Sequence, residues 1–273
     1  MKLHLLVIDP QNDFCDPNGS LYVPGAEEDI KRLASFVERM KDKLSDIHVT
    51  LDSHRKVDIS HPIWWTDAAG RAPAPFTLIS AEDVAAGRWS TRIPSLHERS
   101  VAYLRELEKT GRYPHTIWPE HCLIGDEGHN VSKLLAAAIH DWEDRFAQAD
   151  FVTKGSNPWT EHFSAVRAEV PDPEDPSTQV NTAFIETLED ADLILLAGEA
   201  STHCVMNTVA DIAESFGDPK LIRKLVWLQD ATSPVPDPSG TTLFSSKLRN
   251  VFADLVAQGM KVSTTHDFLQ QAA

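Results

Sequence analysis

The chain has only three cysteines in 273 residues, Cys15, Cys122 and Cys204, and no two are spaced as CxxC. So sparse and odd a set argues against a disulfide framework and for a reducing compartment, so a cytoplasmic protein is expected. No apolar run approaches the roughly 20 residues that span a bilayer. The apolar run that opens the chain, Leu3 to Ile8, is short and ends at Asp9, which reads as a first strand rather than a signal peptide. Basic residues are few, 25 Lys and Arg against 41 Asp and Glu, for a net charge of −16. That deficit argues against nucleic acid or anionic lipid as a partner. There is no GxGxxG after the first strand and no GxxxxGK[ST] anywhere, so a nucleotide is not indicated.

What remains is an ordinary core composition, 42% hydrophobic, laid out as strands alternating with helices. Strands are expected at 3–8, 47–51, 151–153, 192–197, 225–228 and 261–264. Helices are expected at about 25–43, 96–109, from a cap at Asn130, after Gly198, and at 241–257. The 130s helix would bury Val131, Leu134, Leu135, Ala138, Ile139 and Trp142, with Phe146 continuing the same stripe. This alternation predicts one α/β domain over 1–273, with a mostly parallel sheet between two helix layers. Residues 61–117, with Pro62, Pro73, Pro75, Trp64, Trp65 and Trp89, read as a folded excursion or lid rather than a linker.

In such a fold functional residues gather at the carboxyl ends of strands. Asp9 ends the first, Asp52 and His54 the second, and Lys154 the third. Cys204 follows the fourth, in the first turn of a helix that Ser201 or Thr202 would cap. There the helix dipole and unpaired N–H groups favour a thiolate and can hold an oxyanion. A carboxylate can take the thiol proton, and a lysine keeps both acid and thiolate charged. Asp52 and His54, two apart on an extended segment, leave it on one side and suit Zn²⁺, Mn²⁺ or Fe²⁺. A third ligand would come from His61 or His121. His203 reads as packing or surface pointing away from the site, and Cys122 as a small buried residue.

These residues resemble the isochorismatase-like cysteine hydrolases, and among them the nicotinamidases. Asp9-Pro-Gln-Asn-Asp13-Phe14 is similar to the opening D-x-Q-N-D-F. Asp52-Ser-His54 through Ile59-Ser60 is similar to D-W-H-x-x-x-H-I-S, and Trp118-Pro-Glu-His121-Cys122 to W-P-x-H-C. Lys154-Gly155 and Gly198-Glu-Ala-Ser-Thr-His-Cys204-Val205 resemble K-G and G-x-A-x-x-x-C-V. The resemblance implies a catalytic triad of Asp9, Lys154 and Cys204, and a divalent metal, with zinc favoured, on Asp52, His54 and His121. It implies a cis peptide between Glu199 and Ala200, which would direct the N–H groups of Ala200 and Cys204 at an oxyanion. It also implies a Rossmann-like strand order, a substrate pocket bordered by Phe14 and Trp118, a small-molecule amide substrate, a place in NAD salvage, and a homo-oligomer; Glu199, a departure from the pattern, would border that pocket beside the oxyanion site. The expected reaction is deamidation of nicotinamide or a similar amide through a Cys204 thioester. Carbamoyl or ureido substrates, a vinyl-ether hydrolase and a silent binding subunit are the alternatives. Three positions depart from the pattern: Ser53 replaces Trp, Asp58 replaces His, and Glu199 replaces a small apolar residue.

Overall fold

The computed structural model describes residues 1–110, 112–236 and 243–269. Its elements run β1 Leu3–Ile8, α1 Asn12–Cys15, α2 Ala26–Met40, β2 Leu44–Asp52, β3 Trp65–Thr66, α3 Ala81–Ala85, β4 Ser90–Thr91 and α4 His97–Thr110. They continue with α5 Lys133–Glu143, β5 Asp150–Lys154, α6 Thr182–Glu189, β6 Leu193–Gly198, α7 Met206–Ser215, β7 Leu225–Leu228, α8 Leu243–Gln258 and β8 Lys261–Ser263.

Six strands form one sheet in the order β5-β2-β1-β6-β7-β8, and every pair in it is parallel. Counted along the sheet's own strands this is the 3-2-1-4-5-6 order of a doubly wound fold, the Rossmann-like order that the resemblance implies. The chain works outward from β1 on one side and then restarts at β6 on the other. The carboxyl ends of β1 and β6 therefore flank the switch point, where a crevice must open.

Alternation along β1 sorts its side chains into two cores. Leu3, Leu5 and Val7 join one with Ile30, Leu33 and Val37 of α2 and Leu135, Ile139 and Trp142 of α5. Leu6 and Ile8 join the other with Phe184 and Ile185 of α6, Val209 and Ile212 of α7, and Phe252 and Leu255 of α8. Every β1 residue is buried, which is why a continuous apolar run rather than an alternating one encodes it.

The excursion has a third core of its own, built on Ile59, Trp64, Trp65, Ile79, Tyr103, Leu104, Leu107 and Ile117. Its indoles are satisfied internally: Trp64 donates to Ser100 Oγ at 3.0 Å and Trp65 to the Ile59 carbonyl at 2.7 Å. The short α3 carries a complete capping box between Ser80 and Asp83.

Some local expectations give way to longer-range contacts. α5 starts at Lys133 rather than at an Asn130 cap. The Asn130 carbonyl instead accepts the Asn12 N–H, and Val131 bridges Gln11, which ties this loop to α1. Leu134 is left half-exposed, and Phe146 lies beyond the helix at φ 62°, fully in solvent. Neither Ser201 nor Thr202 caps the helix after β6, which opens instead as a π-turn over Ser201–Val205. Of the expected 241–257 helix, residues 241 and 242 lie outside the described residues.

Candidate active site

Asp9 follows β1 with φ 45°, in the left-handed region that favours glycine. Thr50 of β2 holds it there, accepting the Asp9 N–H at 3.0 Å and donating its hydroxyl to Oδ1. The second carboxylate oxygen, Oδ2, has no aligned hydrogen-bond donor. It lies 2.9 Å from the ammonium of Lys154, the last residue of β5. The same ammonium stands 3.1 Å from Asp52 Oδ1 and 3.7 Å from Cys204 Sγ, and donates to the His162 carbonyl at 3.0 Å. Three strand ends and the turn after a fourth thus converge on one buried cation.

Burial pushes the Cys204 thiol well above its usual range, opposed by the Lys154 charge. Burial also raises Asp9, again against Lys154, so the acid is a stronger base than an exposed aspartate. Lys154 itself is held charged: burial opposes the charge, and Asp52 and Asp9 overcome that opposition. Removing this one cation would leave two buried carboxylates facing each other.

A glycine follows Lys154 for a steric reason. Gly155 has φ 80°, and a Cβ there would sit 2.6 Å from Asp52 Oδ1. Gly198, at φ 107°, is needed more strictly, since its Cβ would fall 2.0 Å from the Ile8 carbonyl oxygen. At this point β6 turns away from β1 and the π-turn begins. The extra residue in that turn sets Cys204 against the cleft, and π-turns recur at functional sites for such reasons. The Glu199–Ala200 bond is cis, as the motif implied. Ala200 and Cys204 both line the cleft.

Asp52, His54 and His121 lie beside this cluster, all buried, each with one ligand atom within 4.8 Å of the others. Asp52 Oδ2 is 3.1 Å from His54 Nε2 and 3.4 Å from His121 Nε2. The imidazoles are already oriented as ligands. His54 Nδ1 donates to Asp58 Oδ2 at 3.1 Å and His121 Nδ1 to the Pro119 carbonyl at 2.8 Å, so each turns Nε2 to the common point. The side chain that departs from the family pattern at Asp58 therefore supports a ligand. His61 lies next to these rings, 5.2 Å from His54 and 5.7 Å from His121. Its Nδ1 donates to the Lys56 carbonyl at 3.2 Å, and its buried Nε2 meets no partner. Burial holds it neutral, with a pKa of about 4. Two imidazole nitrogens and a carboxylate, with a third imidazole beside them, are a donor set that fits a divalent ion. Asp52 is drawn well below the usual carboxylate range because His54 and Lys154 outweigh its burial.

The cleft between the two clusters is lined by Phe14, Leu21, Val23, Trp118, Phe163, Val235 and His203, with Ala200, Cys204, Asp52, His121 and Glu161 at its polar end. Phe14 and Trp118 are where the motifs implied. Glu199 is not: it is fully buried behind the oxyanion peptide, accepting the Ser233 N–H at 3.0 Å. His203 does not point away. Its ring stacks on Tyr113 at 4.8 Å and meets Trp118 edge-on at 5.6 Å in the cleft wall.

Sequence reasoning missed two groups. Gln11 clamps the Asp52 backbone, donating to its carbonyl at 2.8 Å and accepting its N–H at 2.7 Å. Glu161 accepts the Trp118 indole N–H at 3.0 Å, and burial lifts its carboxyl to about 7. Gln11 lies inside the first motif, whose fixed amide was the available signal; nothing local marks Glu161.

No family model matches the chain. Its sequence is 26% identical to a nicotinamidase of Escherichia coli (strain K12) over 219 residues, 76% of this chain and 74% of that one. Its structure is similar to that of a nicotinamidase/pyrazinamidase of Acinetobacter baumanii, with a TM-score of 0.63 and 20% identity over 98% of each chain. A yeast nicotinamidase gives 0.62 and 23%, over 95% of this chain and 98% of that one. A pyrazinamidase of Pyrococcus horikoshii in complex with zinc gives 0.54 and 18%, over 97% and 99%. The chain shares the fold of these enzymes over nearly its whole length, and the resemblance read from its motifs stands.

Proposed function

We propose that this protein is a cysteine amidohydrolase of the nicotinamidase kind, which converts a small aromatic amide such as nicotinamide to the acid and ammonia. The meeting of Asp9, Lys154 and Cys204 carries the reading, with the ammonium 2.9 Å from the carboxylate and 3.7 Å from the sulfur. In this mechanism Asp9 takes the Cys204 proton, and the Lys154 charge offsets the cost of forming a buried thiolate. Sulfur attacks the amide carbon, and the carbonyl oxygen rests on the N–H groups of Ala200 and Cys204. One such donor is worth about 3–4 kcal/mol of barrier. Asp9 returns the proton to the amide nitrogen, the C–N bond breaks, and ammonia leaves a thioester. Water then gives a proton to Asp9 and attacks the thioester; the C–S bond breaks and the thiol is restored.

The aromatic cleft supports a ring-bearing substrate over a linear ureido or carbamoyl one, because Phe14 and Trp118 offer faces for it. A divalent ion on Asp52, His54 and His121 supplies a fixed positive charge and a Lewis-acid contact at the polar end, and the donor set favours zinc. The excursion borders the cleft through Phe76, whose ring meets Trp118 at 5.9 Å, and belongs with the rest of the chain to one catalytic domain. On the resemblance alone we also propose a cytoplasmic homo-oligomer, which sedimentation of the purified protein tests. No helix among the described residues is long and apolar enough to cross a membrane.

Ammonia release across nicotinamide, pyrazinamide, a carbamoyl and a ureido compound tests the main reading. Aromatic amides should be turned over and a thioester adduct trapped on Cys204. Release from none of them would overturn it, and release only from the linear compounds would move the substrate class.

A further inference from the structure

Four consecutive peptide N–H groups cross from β6 into the π-turn. Gly198 donates to the Ala231 carbonyl at 2.9 Å, Glu199 to the Ile8 carbonyl at 2.7 Å, and Ser201 to the Ser233 carbonyl at 2.8 Å. The Ala200 N–H is bound to no backbone acceptor among the described residues, and Ala200 lines the cleft. The direction of that one free donor is therefore set by how firmly its neighbours are held.

The side chain of Glu199 does part of the holding. It is fully buried on the side away from the cleft, and its Oε2 accepts the Ser233 N–H at 3.0 Å. Ser233 is thus bound twice, by the Glu199 carboxyl through its N–H and by Ser201 through its carbonyl, one residue on either side of Ala200. Glu199 Oε1 meets no donor among the described residues. Burial raises the Glu199 carboxyl well above the usual range. Asp29 is in turn fixed by the Ser233 hydroxyl and by Arg32. The result is a continuous strut from α2 to the peptide beneath the cleft.

We propose that Glu199 is a positioning residue, which braces the Ala200 N–H from behind so that it faces the developing oxyanion. This rests on the amidohydrolase reading above. It also gives a carboxyl a use where related sequences have a small apolar residue: its oxygen holds the Ser233 N–H on the side away from the cleft.

The test is steady-state kinetics on nicotinamide, with binding of nicotinaldehyde alongside. The Cys204 thiol adds across the aldehyde C=O, forming the S–C bond while the carbonyl oxygen takes up negative charge or the thiol proton. That oxygen sits where the amide oxyanion would. Glu199→Ala should lower kcat about tenfold to a hundredfold, with KM within twofold, and weaken the aldehyde by a similar factor. Glu199→Gln should recover most of the loss, because its amide oxygen still accepts from Ser233. If Glu199→Ala does not fold, Asp29→Ala removes the far end of the strut and should lower kcat at constant KM. Wild-type kcat in Glu199→Ala or Asp29→Ala, or a Glu199→Gln enzyme as slow as a folded Glu199→Ala one, overturns the brace. A wild-type enzyme silent on every amide overturns the reading beneath it instead.

Discussion

The same three strands carry a row of buried polar groups at each end, and only one row has a chemical use. Toward the amino end, His4 of β1 and His48 of β2 join Nδ1 to Nε2 at 3.1 Å. Their outer nitrogens reach Asp46 and Asp150, each at 3.1 Å, and both acids are half in solvent. At the carboxyl end Asp9, Asp52 and Lys154 occupy the corresponding places with formal charges wholly buried. In the first row the carboxylates stand half in water and two imidazoles fill the interior. In the second a cation is locked between two acids beside a thiol and a cavity. Buried polarity alone marks a satisfied core; buried charge facing a cleft marks a site.

The largest expected effect tests whether the charge matters through one sulfur. Cys204→Ala should reduce ammonia release by at least about 10⁴-fold. Cys15→Ala and Cys122→Ala, at thiols that burial also keeps protonated, should stay within a few-fold of wild type. A Cys204→Ala enzyme with a tenth of normal activity would dissolve the distinction between the ends.

Next comes the locked cation. Lys154→Met should cost activity by orders of magnitude and also about 3–5 kcal/mol of stability in urea unfolding, since it strands Asp9 and Asp52. At the opposite end His48→Gln should cost about 1–3 kcal/mol and leave kcat/KM untouched. Equal effects on rate from the two substitutions would refute the comparison.

The third effect concerns the ion. His54→Ala should abolish stoichiometric divalent metal in the purified protein, read by elemental analysis. Asp58→Asn, which disturbs only the support of His54, should weaken metal affinity about 10–100-fold. An Asp58→Asn protein that binds metal like wild type would leave Asp58 a purely structural substitute.

Acidity separates the ends in direction. Asp9 works as its anion and burial raises its pKa, so kcat/KM should fall as pH drops, with its midpoint above the usual aspartate value near 4. At the amino end burial, and then His48, lower the His4 pKa below 6.5. Its contribution to stability is then complete above the unfolded value and is lost as pH falls through the folded one. His4→Gln should flatten the acid loss of stability without moving the rate profile. The smallest effect is expected at the solvent end of this row. Asp46→Asn should change stability by less than about 1 kcal/mol, because the charge is half-exposed.

Much of the site was legible because strands end at recognisable punctuation. Asp9-Pro, Lys154-Gly and the Gly198 break each announce a carboxyl end, and in a parallel sheet such ends meet. Phe14 and Trp118 came with their motifs. The failures cluster where that periodicity stops. Past Gly198 the chain bends at φ 107° into a π-turn, so neither the 2-residue nor the 3.6-residue rule says which way a side chain faces. His203, expected to point away, stands in the cleft wall, and Glu199, expected at the pocket, lies buried outside its lining. Glu161 sits in an irregular stretch after β5 and reaches the cleft only because Trp118 comes to meet it.

By itself the sequence determined the alternation of buried strands and amphipathic helices, and with it the sheet and the end of it that would carry chemistry. Those are local properties, set by side-chain polarity against the period of the backbone. Which polar groups would share a proton, flank a cation or brace a peptide from behind was decided only by tertiary packing. Such pairings join residues far apart in the chain, and their energies depend on burial and on distances of about 3 Å that no local pattern encodes.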